Sequence, residues 1–258
     1  MEFRPCIDIH NGRVKQIVGG SLKDKGDEAF ENFVSDRDAA YYALMYKDMG
    51  LKGGHVIMLN AASSEYYEAT KAQALSALKA APGFLQVGGG INDENAEQFL
   101  DAGASHVIVT SFVFRDGKID YDNLELLKKA VGSKRIVLDL SCRKKDGRYM
   151  VVTDRWQRFT DVEVEVTLFE ELGAFCDEFL IHGVDCEGKS SGFEEDLIRI
   201  LASYEGHEVT YAGGIADEAA ILRLKELGDD RINVTVGSAL DIFGGKLLIE
   251  RVKEICIQ

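Results

Sequence analysis

Gln86-Val87-Gly88-Gly89-Gly90-Ile91, followed by His106-Val107-Ile108-Val109-Thr110-Ser111, has a counterpart later in the chain. The counterpart is Tyr211-Ala212-Gly213-Gly214-Ile215, followed by Val234-Thr235-Val236-Gly237-Ser238. Each half of the pair is a strand-like apolar run, a glycine turn, a helix-like segment and a second apolar run that ends in a small hydroxyl residue. The helix-like segments are Asp93 to Ala102 and Asp217 to Leu227. One pattern repeated about half a chain apart is the mark of an internal duplication. Glycine at a strand end lets backbone N–H groups close on an anion with no Cβ in the way. Two such turns predict a ligand with two phosphates, held through Gly89 and Gly90 on one side and Gly213, Gly214 and Gly237 on the other.

Working outward, further apolar runs alternate with helical patterns. Phe3 to Ile9 reads as a first strand, closed by the turn signal Asn11-Gly12. A polar loop is expected from Asn11 to about Ser35, long enough to be functional. A helix follows over Asp36 to Met49, with Ser35 or Asp36 as its cap. His55 to Asn60 is a strand, Glu65 to Ala80 a helix, Tyr121 to Val131 a helix and Arg135 to Leu140 a strand. Arg143 to Thr153 reads as a hairpin around Asp146-Gly147, carried on to Trp156. Helices at Thr167 to Ala174, Phe193 to Ser203 and Lys246 to Ile255, with strands at Glu178 to His182 and Glu208 to Tyr211, complete the chain.

Strands alternating with helices mean a parallel sheet with crossover helices. Eight such units with an internal half-barrel repeat favour a closed (β/α)8 TIM barrel over an open sheet. In barrels of this kind the site lies at the carboxyl ends of the strands. The 258 residues contain two prolines and no low-complexity tract, so residues 1–258 are expected to form a single catalytic domain.

Composition narrows the partners. There are 30 basic and 44 acidic residues, a net charge of −14. A chain this acidic is not expected to bind nucleic acid or an anionic membrane through a general basic field. An anionic substrate must instead be held by oriented amides and a few placed cations. No apolar run approaches the ~18 residues needed to span a bilayer. Met1-Glu2-Phe3-Arg4-Pro5 leads straight into a charged turn and does not read as a signal peptide. Five scattered cysteines without a CxxC pair suit reduced thiols in the cytoplasm. No metal site and no cofactor are expected, because HExxH and clustered His ligands are missing. The chain is expected to act as a monomer.

Two carboxylates stand out. Asp8 lies in Cys6-Ile7-Asp8-Ile9 and Asp139 in Val137-Leu138-Asp139-Leu140, each towards the end of an apolar strand. Strands one and five of a barrel face each other, so the two carboxylates should confront one another across the mouth. An aspartate inside an apolar strand is costly unless it is paired or used. The plain structural alternative is that each caps a neighbouring loop amide. Paired carboxylates suit acid–base work on a sugar, one taking a carbon-bound proton and the other donating to oxygen.

The run Arg4-Pro5-Cys6-Ile7-Asp8-Ile9-His10-Asn11-Gly12-Arg13-Val14-Lys15-Gln16-Ile17-Val18-Gly19-Gly20 resembles the opening of a known family. That family is the phosphoribosylformimino-5-aminoimidazole carboxamide ribotide isomerases of histidine biosynthesis, in their eukaryotic-type branch. The resemblance extends through both glycine turns, Asp154-Arg155-Trp156-Gln157 and Ile181-His182-Gly183. It implies an Amadori rearrangement of a bis-phosphorylated aminoaldose to an aminoketose. By position it implies Asp8 as the base for the C2′ proton and Asp139 as the acid that helps open the furanose ring. Gly90 and Ser111 would hold one phosphate, and Gly214 and Ser238 the other. Arg13 and Gly20 fall where the family contacts substrate, and Trp156 would stack on the imidazole.

Three positions depart from the bacterial pattern. Gly183 stands in place of a Thr, Glu187 in place of an Asp, and Asn60 in place of an Asp. His182 is expected to be a structural hydrogen-bonding residue. The nearest alternative is the cyclase subunit of imidazole glycerol phosphate synthase, whose first strand typically carries a Lys after the Asp motif; here His10 follows Ile9. Phosphoribosylanthranilate isomerase does the same chemistry with one phosphate site and a Cys base, and Cys6 would share the Asp8 face of its strand. A non-catalytic phosphosugar-binding barrel is the third reading.

Overall fold

The computed structural model of the chain describes residues 1–17, 31–154, 156–186 and 192–257. Eight parallel strands form its centre: β1 Cys6–His10, β2 Gly54–Met58, β3 Leu85–Gly88, β4 Val107–Val109, β5 Ile136–Asp139, β6 Glu178–His182, β7 Glu208–Ala212 and β8 Ile232–Thr235. Each strand pairs in parallel with the next, from β1 to β8. The ring closes through residues just before β1. Phe3 bridges Val234, Arg4 N donates to Val234 O and Val234 N donates to Glu2 O, both at 2.9 Å. The result is the expected (β/α)8 barrel.

Eight helices alternate with the strands: α1 Ala39–Asp48, α2 Tyr67–Ala80, α3 Ala96–Asp101, α4 Tyr121–Val131, α5 Val166–Leu172, α6 Glu195–Ala202, α7 Glu218–Leu227 and α8 Ile249–Ile257. Aspartates start three of them. The carboxylates of Asp38, Asp120 and Asp217 accept from the N–H groups of Tyr41, Asn123 and Ala220. Such caps satisfy donors that have no partner within the helix, each contributing about 1 kcal/mol. The cap of α1 is therefore Asp38, not Ser35 or Asp36. Ser35 turns inward instead, its hydroxyl accepting from Arg37 N at 2.8 Å and lying 3.0 Å from the Tyr42 hydroxyl.

Alternation along the strands divides the apolar residues into two cores. Ile7, Ile9, Val56, Val87, Leu138, Ile181 and Val234 face outward and pack under the helices. Ile57, Ile108, Val137, Leu180 and Ala212 face inward and fill the barrel. Asp8 shares the inward parity of β1, and Asp139 that of β5. Nearer the amino ends of the strands the filling turns polar. There the buried carboxylate of Glu178 accepts from Gln86 Nε2 and Thr210 Oγ1, the pairing that a buried charge requires.

Two loops differ from the expectation. The stretch after β1 is not simply a loop. Arg13–Ile17 runs back antiparallel to β1, and Glu31–Val34 pairs with it in turn. The cause lies in Asn11 and Gly12, both at positive φ (51° and 71°), the two-residue turn that suits a tight hairpin. After β5, the hairpin of Cys142–Lys145 and Arg148–Thr153 turns at Asp146-Gly147 as expected. A third strand, Arg158–Glu163, joins it. Its sequence, Arg-Phe-Thr-Asp-Val-Glu, lacks an apolar stripe because one face looks to solvent. This small sheet is anchored to the loop after β6. Cys142 bridges Gly183, and Asp185 accepts from Arg143 Nε at 2.8 Å and from Lys144 N at 3.1 Å.

Candidate active site

Asp8 sits two residues before the end of β1, opposite Ile57 of β2 in register. Its Oδ2 accepts from Gln16 Nε2 at 3.3 Å, and the Cys6 thiol lies 3.8 Å from the same oxygen. Gln16 is buried on the strand returning from β1. Its other end, Oε1, presses on Gly237, where a Cβ would come within 2.5 Å. Gln16 thus links the first carboxylate to the turn after β8. Nothing in the sequence marks it, because the link depends on the Asn11-Gly12 hairpin.

Asp139 is the last residue of β5. Its Oδ1 accepts from Ser141 N at 2.9 Å and Ser141 Oγ at 2.7 Å, and its Oδ2 from Thr110 Oγ1 at 3.0 Å. The plain alternative, capping of a loop amide, is therefore realised here, alongside two hydroxyl contacts. Ser141 and Thr110 are partners that a sequence reading does not single out.

β1 and β5 are opposite in the ring, and their carboxylates occupy different pockets at the carboxyl ends of the strands. Asp8 lines a pocket with Gly213, Gly214, Gly237, Ser238 and His182. Asp139 lines another with Gly89, Gly90, Ser111, Thr110 and Trp156. Each carboxylate therefore neighbours the glycine turn of the other half of the repeat. The two halves match in detail. Gly89 has φ 103° and Gly213 φ 121°. A Cβ on Gly89 would overlap the carbonyl oxygen of Met58, and one on Gly213 would lie 2.6 Å from that of Gly183. Only glycine lets the turn approach the neighbouring strand so closely. The openings are unequal. The Asp139 pocket holds about 360 Å³ and the Asp8 pocket about 30 Å³.

Neither pocket is lined by Arg or Lys among the described residues. Arg13 stands apart, 52 % of its side chain exposed, donating to Ser35 O at 2.8 Å and Asp36 Oδ1 at 3.3 Å. Gly20 and Glu187 lie outside the described residues. Gly183 packs against the Tyr211 hydroxyl, which would meet a Cβ at 2.5 Å, so this turn has no room for the Thr of the bacterial pattern. Asn60 is buried. Its Oδ1 accepts from Asn11 N at 2.8 Å and Thr70 Oγ1 at 2.7 Å, holding the turn after β1.

Trp156 projects from the loop after β5, its indole N–H donating to Ser141 Oγ at 3.1 Å. Its ring faces that of His182, so the two pockets meet at an aromatic pair. His55, on the inner face of β2, also lines the Asp8 pocket. Burial first, then nearby positive charge, lowers its pKa from 6.5 to about 3, so it is neutral at ordinary pH. Burial, then the Asp139 carboxylate, pushes the Cys142 thiol up and keeps it protonated. Among the described residues no group of His, Cys, Asp or Glu is arranged to hold a metal ion. Among the described residues no helix is long and apolar enough to cross a membrane. Two carboxylates on opposite strands, each beside a serine and a glycine turn, suit proton transfer on an anionic ligand.

Comparison with known proteins gives the family. The family described as "Histidine biosynthesis protein" matches residues 2–247. A chloroplastic protein of Medicago truncatula is 54% identical over 251 residues, covering 96% of this chain and 79% of its own. A protein of Yarrowia lipolytica is 46% identical, covering 95% of this chain and 93% of its own. One of Saccharomyces cerevisiae is 43% identical, covering 96% and 94%. All three are named as the 1-(5-phosphoribosyl)-5-((5-phosphoribosylamino)methylideneamino)imidazole-4-carboxamide isomerase.

Proposed function

The chain belongs to the histidine biosynthesis protein family and is an isomerase of that pathway, and we propose that Asp8 and Asp139 carry its aldose–ketose rearrangement as base and acid. The relatives' names carry two phosphoribosyl groups, one phosphate for each glycine turn. One observation carries the reading. Two carboxylates on opposite strands each stand beside a Gly-Gly turn and a serine, Asp8 by Gly213, Gly214 and Ser238, and Asp139 by Gly89, Gly90 and Ser111.

The substrate lies across the mouth with one phosphate on each turn, held by the amides and hydroxyls of the turns. Asp139 gives a proton to the ring oxygen of the aminoaldose. The bond from that oxygen to C1′ breaks, and the C1′–nitrogen bond becomes an iminium. Asp8 then takes the proton from C2′. The electron pair of that C–H bond forms C1′=C2′ and neutralises the nitrogen. The resulting enaminol gains a proton at C1′ and loses the hydroxyl proton at C2′, giving the aminoketose. Trp156 stacks on the imidazole.

The names of the relatives speak against the cyclase reading and against a non-catalytic barrel. Five cysteines outside any disulfide support a reducing, cytoplasmic setting. The test is an absorbance assay with the bis-phosphorylated aminoaldose, coupled to the next pathway enzyme. Turnover by the wild type and its loss in Asp8→Asn are expected. Binding without turnover in the wild type would remove the catalytic reading.

A further inference from the structure

Two proton transfers of the rearrangement have no side chain so far. Asp139 gives its proton to the ring oxygen, and Asp8 takes the one on C2′. The enaminol must still gain a proton at C1′ and lose one from the C2′ hydroxyl. Asp8 holds a proton at that stage, and C1′ is bonded to C2′, so the same carboxyl can deliver it. The hydroxyl proton then needs an acceptor at the same end of the site.

His182 stands at that place. It ends β6, and alternation from Leu180, which faces the barrel interior, turns it inward as well. The four residues before it in the strand are buried and His182 is partly exposed, so it reaches the mouth. It lines the Asp8 pocket, and its ring packs on that of Trp156, which lines the Asp139 pocket. A sugar within reach of both carboxylates lies against this ring. Imidazole gains and loses a proton near neutral pH. It has two ring nitrogens, so one can be held by a neighbour while the other exchanges the proton.

The other titratable groups of the pocket, besides Asp8, are Cys6 and His55. His55 is buried, and burial, followed by the neighbouring His182, lowers its pKa to about 3. It therefore stays uncharged and does not oppose an imidazolium at His182. Once Asp8 has passed its proton to C1′, its carboxylate shares the pocket with that imidazolium and stabilises it.

We propose that His182 is a further catalytic residue, the base that accepts the C2′ hydroxyl proton as the enaminol becomes the aminoketose. The electron pair of C1′=C2′ takes the proton from Asp8 and forms the new C1′–H bond. The O–H pair becomes the second bond of the C2′ carbonyl, and the hydroxyl proton passes to a ring nitrogen of His182. The imidazolium releases it to solvent and Asp139 regains one from solvent, so the cycle closes without net gain or loss. The assignment rests on the reading of Asp8 as the base for C2′.

The experiment gives the bis-phosphorylated aminoaldose in D₂O to the wild type, His182→Ala, His182→Phe and Asp8→Asn. Deuterium at C2′ of the recovered substrate is read by mass spectrometry, and aminoketose by the coupled assay. His182→Phe keeps a ring against Trp156 and removes both nitrogens. In both His182 variants turnover should fall by about 10²-fold or more, while exchange at C2′ continues, because ring opening and the Asp8 step are intact. Asp8→Asn should lose both. Added imidazole should restore turnover to His182→Ala, whereas pyrazole, a ring of the same shape and far weaker basicity, should not. Turnover kept in His182→Phe overturns the proposal, and so does loss of exchange together with turnover in the His182 variants. Equal effects of imidazole and pyrazole on His182→Ala also overturn it. If His182→Ala does not fold, His182→Phe and His182→Gln carry the comparison of exchange with turnover. Exchange kept in Asp8→Asn would instead overturn the assignment of Asp8, whatever the His182 variants do.

Discussion

The rings of Trp156 and His182 stand with centroids 5.5 Å apart and planes tilted by 50°. One lines the Asp139 pocket and the other the Asp8 pocket, so a ligand reaching both glycine turns must pass this pair. Its central ring should displace part of the contact and stack on the indole. Base–aromatic stacking contributes about 1–3 kcal/mol. Trp156→Ala is accordingly expected to raise KM by roughly 5- to 150-fold with a smaller effect on kcat. Steady-state kinetics check it, and an unchanged KM would remove Trp156 from the binding site.

Asp8→Asn keeps shape and can still pair with Gln16, but it cannot accept a proton from carbon. General acid–base groups typically contribute ~10²–10⁴-fold, so kcat should fall by about that factor while KM stays near its value. Asp139→Asn should leave more turnover, because furanose ring opening has an uncatalysed background. In D₂O the wild type should exchange the C2′ proton once the ring is open, and Asp8→Asn should not. Near-normal turnover in Asp8→Asn would move the base elsewhere, with Cys6, 3.8 Å from the same oxygen, next to be tested.

The glycines separate binding from folding. A Cβ on Gly90 meets nothing within 4 Å, although φ is 69°. Gly90→Val should therefore fold, at a cost of about 1–2 kcal/mol for the left-handed backbone, and raise KM strongly by fouling the phosphate. Gly214 differs, because a Cβ there would overlap the Gly192 carbonyl. Gly214→Val should lose stability as well as binding. Thermal melts beside KM for both variants test this. If Gly90→Val binds substrate normally, the first turn is not a phosphate site.

His55 predicts a slope in stability with pH. Its folded pKa, about 3, is below the ordinary 6.5 because burial disfavours the charged ring. Between those values the unfolded chain binds the extra proton, so stability falls as pH drops from about 6.5 towards 3 and is unaffected by this group above that window. His55→Gln should flatten the decline. Urea midpoints at neutral and mildly acid pH, compared within each protein, give the answer. An equal decline in both would clear His55 of the effect.

How much of this is legible in the residues depends on the range of the interaction. Helix α4 and strand β6 follow from their local pattern residue for residue, Tyr121–Val131 and Glu178–His182. The glycine turns and the two aspartates follow from repetition. Arg13–Ile17 is hidden because its alternation, Val-Lys-Gln-Ile, buries Lys15 and Gln16 as well as the apolar residues. Lys15 is accommodated by an ion pair with Glu31, a partner beyond any local window. Arg158–Glu163 is hidden by its polar outer face. Ser141 and Gln16 acquire their contacts only when loops fold back over the strand ends. The meeting of Trp156 with His182 is a contact between the fifth loop and the end of β6 that no spacing encodes.

The closure at Phe3 and Val234 and the pairing of β4 with β5 are the two seams of the duplicated barrel, and each pocket straddles one of them. Asp8 meets the second half's turn across the first seam, and Asp139 meets the first half's turn across the second. Neither half of the barrel lines either pocket by itself, so turnover depends on the joints. A substitution that loosens a seam far from any substrate should be inherited as a loss of enzyme activity, not merely as a weaker scaffold.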